Sequence, residues 1–264
     1  MKRFALLTLI VTFATVCFGQ QPIRKTIFSR DFSPAEGLVT PHERPYRDEI
    51  CLNGLWEVQC IALPRSWRGG SGEAPELPDP QPDKWDTTKI KIPSPINVNN
   101  WGQGYNVGEG TRHPYAPSSV YFPSYPEHWI HARMAWLRRI FTIPQEWSDK
   151  RIVLHFEAVA GESRIVINGE EVYRNFESHL PFDVDITDYI DLNGENEIKV
   201  GLRHTRLFDK SHPDYKYMGA TYPTGSNTDD LIGIWQDVML WAEPEVHIKD
   251  VFVQPWVDRG ELLV

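Results

Sequence analysis

The sequence predicts an all-β protein with a jelly-roll sandwich, and three observations support that prediction. From Met134 onward, short runs of β-forming residues follow one another and are separated by turn residues. The 264 residues include 21 prolines and 18 glycines, which favour many turns over long helices. The strands come in runs separated by two long loops, and this arrangement favours a jelly roll among the sandwich folds.

Alternation and turn residues assign the individual strands. The predicted strands are 52–61, 90–92, 135–143, 151–157, 164–168, 171–174, 182–186, 197–202, 233–241, 246–255 and 261–264. Strand 151–157 is apolar on both sides and is therefore predicted to lie inside a sheet. Asn168–Gly169 lies between two strands and predicts a hairpin with a type I′ turn. Residues 188–190 predict a helical turn.

The two long loops, 97–133 and 203–230, are rich in aromatic and polar residues. Sugars present apolar C–H faces and hydroxyls, and they are bound by flat aromatic surfaces flanked by polar side chains. The predicted substrate-binding residues in these loops are Trp101, Tyr105, Arg203, His204, Arg206 and Asp209. A second interpretation fits the same aromatics: the loops would pack against later domains of a longer protein.

The first 19 residues predict a secretory signal peptide. Lys2 and Arg3 precede an apolar run at 4–18, and Gly19 is suited to cleavage. We expect export to a bacterial periplasm or exterior, without lipidation at Cys17, because Val16 is bulky where a lipoprotein signal needs a small residue. Residues 20–48 predict an extended N-terminal arm. The net charge of −9 argues against partners such as nucleic acid or an anionic membrane.

Neither a metal site nor a cofactor is predicted. His128 and His131, with His113 nearby, and the carboxylates of Asp183, Asp185 and Asp188 have the composition of metal ligands. The histidines lack a third ligand of matching spacing, and Asp188 is expected to cap the next turn while Asp183 and Asp185 point the same way on a strand.

Cys51 and Cys60 are predicted to be two free, buried thiols. An extended strand between them would span roughly 30 Å, beyond the reach of a disulfide. A tight turn at Asn53–Gly54 would reopen the disulfide alternative.

A set of motifs in fixed order carries a family resemblance. The motifs are LNGLW at 52–56, WLRRIFTIP at 136–144, KRIVLHFEAV at 150–159, ING at 167–169, PFDVDITDY at 181–189, GENEI at 194–198 and GIWQDV at 233–238. Together they resemble the N-terminal sugar-binding domain of glycoside hydrolase family 2, a galactose-binding-like jelly roll. The family includes β-galactosidases, β-glucuronidases and β-mannosidases. The resemblance covers residues 49–242, and it implies that 243–264 are a linker and the truncated start of an immunoglobulin-like domain.

The resemblance implies a retaining glycosidase whose two catalytic glutamates lie on a (β/α)₈ barrel. No such barrel fits this sequence, because strands do not alternate with helical segments of 10–15 residues. We therefore assign no catalytic residue here and expect the chain to be inactive alone. The predicted partners are an oligo- or polysaccharide and a downstream catalytic domain. The alternative is a stand-alone carbohydrate-binding module.

Two positions depart from the galactosidase branch of the family. In that branch an Asn in an Asn-Val-x-Tyr-Pro stretch reaches the edge of the active site, and here the stretch reads SVYFP at 119–123. Ser119 therefore occupies a predicted substrate-binding position. The same branch has an Asp just after the Asn-rich turn and the strand that follows it, and the matching position here falls near Arg206. The positive charge of Arg206 would suit an acidic sugar. Both departures argue against galactose specificity.

Overall fold

A computed structural model describes residues 48–65, 67, 74–97, 125–208, 231–248 and 251–263. Within these ranges the chain forms short strands, which are β1 (Asp48–Cys51), β2 (Gly54–Ile61), β3 (Ile90–Ile92), β4 (Met134–Phe141), β5 (Arg151–Phe156), β6 (Val159–Ala160), β7 (Glu162–Ile167), β8 (Glu170–Asn175), β9 (Phe182–Asp185), β10 (Asn196–Arg203), β11 (Gly233–Ile234), β12 (Val238–Glu243), β13 (Gln254–Trp256) and β14 (Glu261–Leu263). Its helices are short 3₁₀ turns: Glu127–His131, Gln145–Trp147, Thr187–Tyr189, Thr205–Leu207 and Val257–Arg259. None of the helices in the described ranges has the length and apolar character that a membrane span requires.

Two antiparallel sheets enclose the main core. The small sheet has four strands in the order β1-β12-β5-β9, and the large sheet has six in the order β3-β2-β4-β10-β7-β8. Trp56, Leu137 and Val200 from the large sheet pack with Leu154 and Leu240 from the small one. The all-β sandwich is thereby confirmed, and so is the interior position of β5 between β12 and β9.

The chain crosses from the small sheet to the large sheet at Leu52–Asn53, between β1 and β2. The predicted single strand 52–61 therefore starts only at Gly54, whose φ of +113° favours glycine. Cys51 and Cys60 are both free thiols, as predicted, but they are half-buried rather than fully buried. They lie on strands of different sheets.

Three local predictions can be compared with the structure. Asn168 (φ 50°) and Gly169 (φ 92°) both have positive φ, as a type I′ hairpin requires. Predicted strand 233–241 is split, because its first part, β11, pairs with β6 and its second part, β12, pairs with β5. Of the described residues in predicted strand 246–255, only Gln254 and Pro255 belong to a strand.

Residues 74–86, here called the proline-rich strap, cover part of the outer face of the large sheet. The side chain of Gln59 exchanges two 2.7 Å hydrogen bonds with the backbone of Gln81. The indole of Trp136 donates to the Pro78 carbonyl at 2.8 Å. The strap and this face form a second apolar cluster that includes Leu77, Met134, Trp136, Val166, Leu207 and Phe208.

Candidate functional site

The two predicted loops are joined at both of their bases. At the start of the first loop, the Asn97 side-chain oxygen accepts the backbone N–H of Ile232 at 2.9 Å, just after the end of the second loop. At the end of the first loop, the Arg133 carbonyl accepts the backbone N–H of His204 at 2.8 Å. The described bases of both loops therefore lie side by side at one edge of the sandwich. This edge is the candidate functional site.

His204 and Arg206 lie at the base of the second loop. His204 is fully buried, and its Nδ1 accepts the backbone N–H of Arg206 at 3.0 Å, which caps the turn Thr205–Leu207. Arg206 is half-buried in the last turn of this short helix. Their contact with substrate stays a prediction. Trp101, Tyr105, Ser119 and Asp209 lie outside the described residues.

Arg203 is held by groups of the chain itself. Its Nε donates to Glu162, its Nη2 donates to Glu162 at 2.8 Å, and its Nη1 donates to the Pro75 carbonyl at 2.9 Å. The ring of Phe208 lies 4.8 Å from the guanidinium carbon. Both partners of the ion pair are buried, Glu162 on β7 and Arg203 on β10. Because Arg203 also donates to Pro75, it fastens the strap to both strands. Its predicted contact with substrate is untested, and the role of Glu162 was not predicted.

Three of the sequence motifs meet where the chain crosses between the sheets. The Asn53 side chain donates to Asp237 at 2.8 Å and accepts the backbone N–H of Val238 at 3.0 Å. Arg139 Nη1 donates to the carbonyls of Leu52 and Asn53 at 2.9 and 2.7 Å. These motif residues satisfy the backbone at the corner, so their role is structural.

Two further motifs meet beside the type I′ hairpin. Asn168 donates to the Tyr189 carbonyl at 2.7 Å and to the Asn196 side chain at 2.8 Å, and it accepts the backbone N–H of Glu197 at 2.8 Å. Asn196 in turn donates to the Asp191 carbonyl at 2.8 Å. The two asparagines therefore fix the register of the hairpin against β10.

The carboxylates of β9 serve as ion-pair partners on the outer face of the small sheet. Asp183 contacts His155 Nδ1 at 2.7 Å, and Asp185 accepts Arg151 Nε at 2.7 Å. Burial lowers the pKa of His155, but hydrogen bonds and charges from Asp183 and Glu157 outweigh it, so the net pKa is raised. The imidazole also stacks on Trp241, with ring centroids 4.2 Å apart.

A different trio has the composition of a metal site. Ligand atoms of Cys60, Asp86 and His128 all lie within 4.8 Å of one another. Burial, and then the charge of Asp86, raises the pKa of Cys60 to about 12. Sequence reasoning considered His128 but missed the other two residues, because they are far apart along the chain.

The comparisons with known proteins agree with the fold. Residues 51–244 match the family model described as "Glycosyl hydrolases family 2, sugar binding domain". The chain therefore belongs to glycoside hydrolase family 2, and the matched part is its sugar-binding domain.

Among similar proteins is a β-galactosidase of Priestia megaterium, 29% identical over 90% of this chain and 22% of that protein. A β-glucuronidase of Rattus norvegicus is 24% identical over 86% of this chain and 34% of that protein. The solved β-glucuronidase of an uncultured Clostridium sp. has a TM-score of 0.52 and 20% identity, over 82% of this chain and 32% of that one. The chain thus spans between a fifth and about a third of the length of these proteins.

Proposed function

We propose that the chain is the N-terminal sugar-binding part of an exported retaining glycoside hydrolase whose catalytic barrel lies on a further domain. The family match supports this proposal, as does the small share of each similar enzyme that the chain covers. Retaining hydrolysis needs two carboxyl groups about 5–5.5 Å apart at the scissile bond. Glu162 and Glu171 are instead paired with arginines of the sandwich.

The observation that carries the sugar-binding proposal is the joining of the two loops at their bases. Asn97 with Ile232, and Arg133 with His204, bring together the bases of two segments that are rich in aromatic and polar residues. Binding residues collect on loops that a rigid scaffold positions. We propose that this edge contacts a β-linked glycoside, and that Arg206 favours a uronic acid over a neutral sugar.

The first test separates binding from catalysis. The 264-residue chain is incubated with aryl β-galactoside, β-glucuronide and β-mannoside, and release of the aryl group is followed. We expect no hydrolysis, since no catalytic residue is assigned to this chain. Turnover that copurifies with the chain and survives further purification would contradict the assignment of catalysis to another domain.

The second test locates the sugar site. Binding of β-linked oligosaccharides is measured by calorimetry for the unchanged chain and for Trp101→Ala, Tyr105→Ala and Arg206→Ala. Tyr173→Ala and Arg259→Ala, on exposed parts of the molecule, are the matched controls. We expect weaker binding in the loop variants alone, and a selective loss of uronides with Arg206→Ala. Equal loss of neutral and acidic sugars in that variant would contradict the uronic acid preference.

A stand-alone carbohydrate-binding module is the alternative function. Sequencing the gene downstream of codon 264 distinguishes the two. We expect the reading frame to continue into further domains, and a stop codon there would favour the stand-alone module.

A further inference from the structure

Three segments that are distant in sequence meet beside the end of β2. Cys60 belongs to β2, Asp86 ends the proline-rich strap, and His128 lies in the turn Glu127–His131. The backbone N–H of Asp86 donates to the Val58 carbonyl of β2 at 2.8 Å, which fixes the end of the strap against the sheet. The ligand atoms of the three side chains lie within 4.8 Å of one another.

The donor set is one sulfur, one imidazole nitrogen and one carboxylate oxygen. Calcium and magnesium prefer oxygen ligands alone, whereas Zn²⁺ accepts all three donor types. In a tetrahedral zinc site with standard bond lengths, ligand atoms lie about 3.5 Å apart. His128 Nε2 and Asp86 Oδ2 are already 3.2 Å apart, and Cys60 Sγ lies within 4.8 Å of both, so side-chain rotations that bring the sulfur closer would complete the geometry.

Trp129 provides an independent observation at the same carboxylate. Its indole Nε1 donates to Asp86 Oδ2 at 2.7 Å, and its ring is fully buried. Metal-bound carboxylates are held in this way by outer hydrogen bonds, which orient the ligand before the ion arrives. Asp86 is thus positioned by the core, while the His128 side chain is 57% exposed and open to solvent.

We propose that Cys60, Asp86 and His128 bind one Zn²⁺ ion, with water in the fourth position. The ion would link β2, the strap and the turn that leads into β4. Because it binds only the folded chain at these three positions, it stabilises the fold by mass action. Because His128 belongs to the loop 97–133, the zinc site borders the proposed sugar-binding edge, but zinc binding is measured without sugar and does not depend on the proposed function.

The test uses the 264-residue chain after chelator treatment and dialysis. Calorimetric titration with ZnCl₂ should show one ion per chain, and the melting temperature should rise. Titration with Co²⁺ should give the near-ultraviolet charge-transfer band of a thiolate–cobalt bond. Cys60→Ser, Asp86→Asn and His128→Ala should each weaken zinc binding by more than about 100-fold, and Trp129→Phe by about 10–100-fold.

Cys51→Ser and His131→Ala are the matched controls. Cys51 is the other half-buried free thiol, and His131 is an exposed histidine of the same turn. Both should bind zinc as the unchanged chain does. If Cys60→Ser does not fold, His128→Ala still decides the question, because its side chain is largely exposed. Absence of zinc binding, a cobalt spectrum without the thiolate band, or binding that His128→Ala leaves unchanged would overturn the proposal.

Discussion

The outer faces of the two sheets are stabilised in different ways. On the large sheet the proline-rich strap covers the end near Trp136 and Gly201 through apolar packing and hydrogen bonds, and one of these bonds joins the Pro75 carbonyl to Arg203, which is buried in an ion pair with Glu162. On the small sheet the side chains of Arg151 and His155 pair with carboxylates that are about half exposed. The covered face should therefore tolerate substitution poorly, whereas the open face should respond chiefly to pH.

The largest effect is expected at the buried Arg203–Glu162 ion pair, whose arginine also holds the strap at the Pro75 carbonyl. Arg203→Met leaves the buried Glu162 carboxylate without its main partner, and breaking such a pair costs about 3–5 kcal/mol of unfolding free energy. Denaturant unfolding measures the loss. Arg174→Met, at a guanidinium that is 41% exposed and also contacts Glu162, is the control and should cost less than about 1 kcal/mol. Equal losses in the two variants would remove the distinction between buried and open pairs.

The next effect concerns Gly201, over which the Trp136 ring lies. A Cβ at this position would come within 2.6 Å of Leu77 Cδ2 and 2.7 Å of the Trp136 ring. Gly201→Ala should therefore destabilise the chain by about 1–3 kcal/mol through overpacking. Thermal unfolding and the near-ultraviolet circular dichroism of the tryptophans report the change. Unchanged stability would show that the strap lies loosely on the sheet.

On the open face the expected effect is a dependence on pH. Because the pKa of folded His155 is raised above 6.5, its contribution is fully present below that value and is lost as pH rises through the folded pKa. The stability difference between the unchanged chain and His155→Gln should therefore shrink as pH rises above 6.5. A difference that is constant over this range would show that the Asp183 and Glu157 contacts do not favour the charged ring.

The smallest effect is expected at Asp185. Burial raises its pKa, but hydrogen bonds from Thr187 and Arg151 outweigh this, so the net pKa lies below 3.8. Its contribution is present above that value and is lost as pH falls through the folded pKa. Arg151→Gln should cost less than about 1 kcal/mol near neutral pH, because Asp185 is half exposed. A cost as large as that of Arg203→Met would contradict the comparison between the faces.

Local patterns predicted the elements whose determinants are local. The apolar character of both sides of β5 indicated an interior strand, and Asn168–Gly169 indicated the hairpin turn, because each signal lies within a few residues. The break before Gly54 escaped prediction because Asn53 bonds to Asp237, 184 residues away in the sequence. In the same way, the sequence placed Arg203 at the start of a loop. In the structure it is the last residue of β10 and lies opposite Glu162 of the neighbouring strand β7.

The candidate site was less accessible to sequence reasoning than the fold. Aromatic and polar composition marked the two loops, but it could not show that Asn97 and Arg133 fasten them to each other. The sequence singled out His128 but not its grouping with Cys60 and Asp86, since the three residues come from separate segments. Contacts of this kind depend on the path of the whole chain.

The most direct test of the account is amide hydrogen exchange with and without the β-glycoside that binds most tightly. The account predicts that sugar slows exchange in peptides from 97–133 and 203–230, and that peptides from the outer face of the small sheet, such as those containing β5 and β9, are unchanged. Protection confined to the small sheet, or failure of every β-glycoside in the panel to bind, would contradict a sugar site at the joined bases of the two loops.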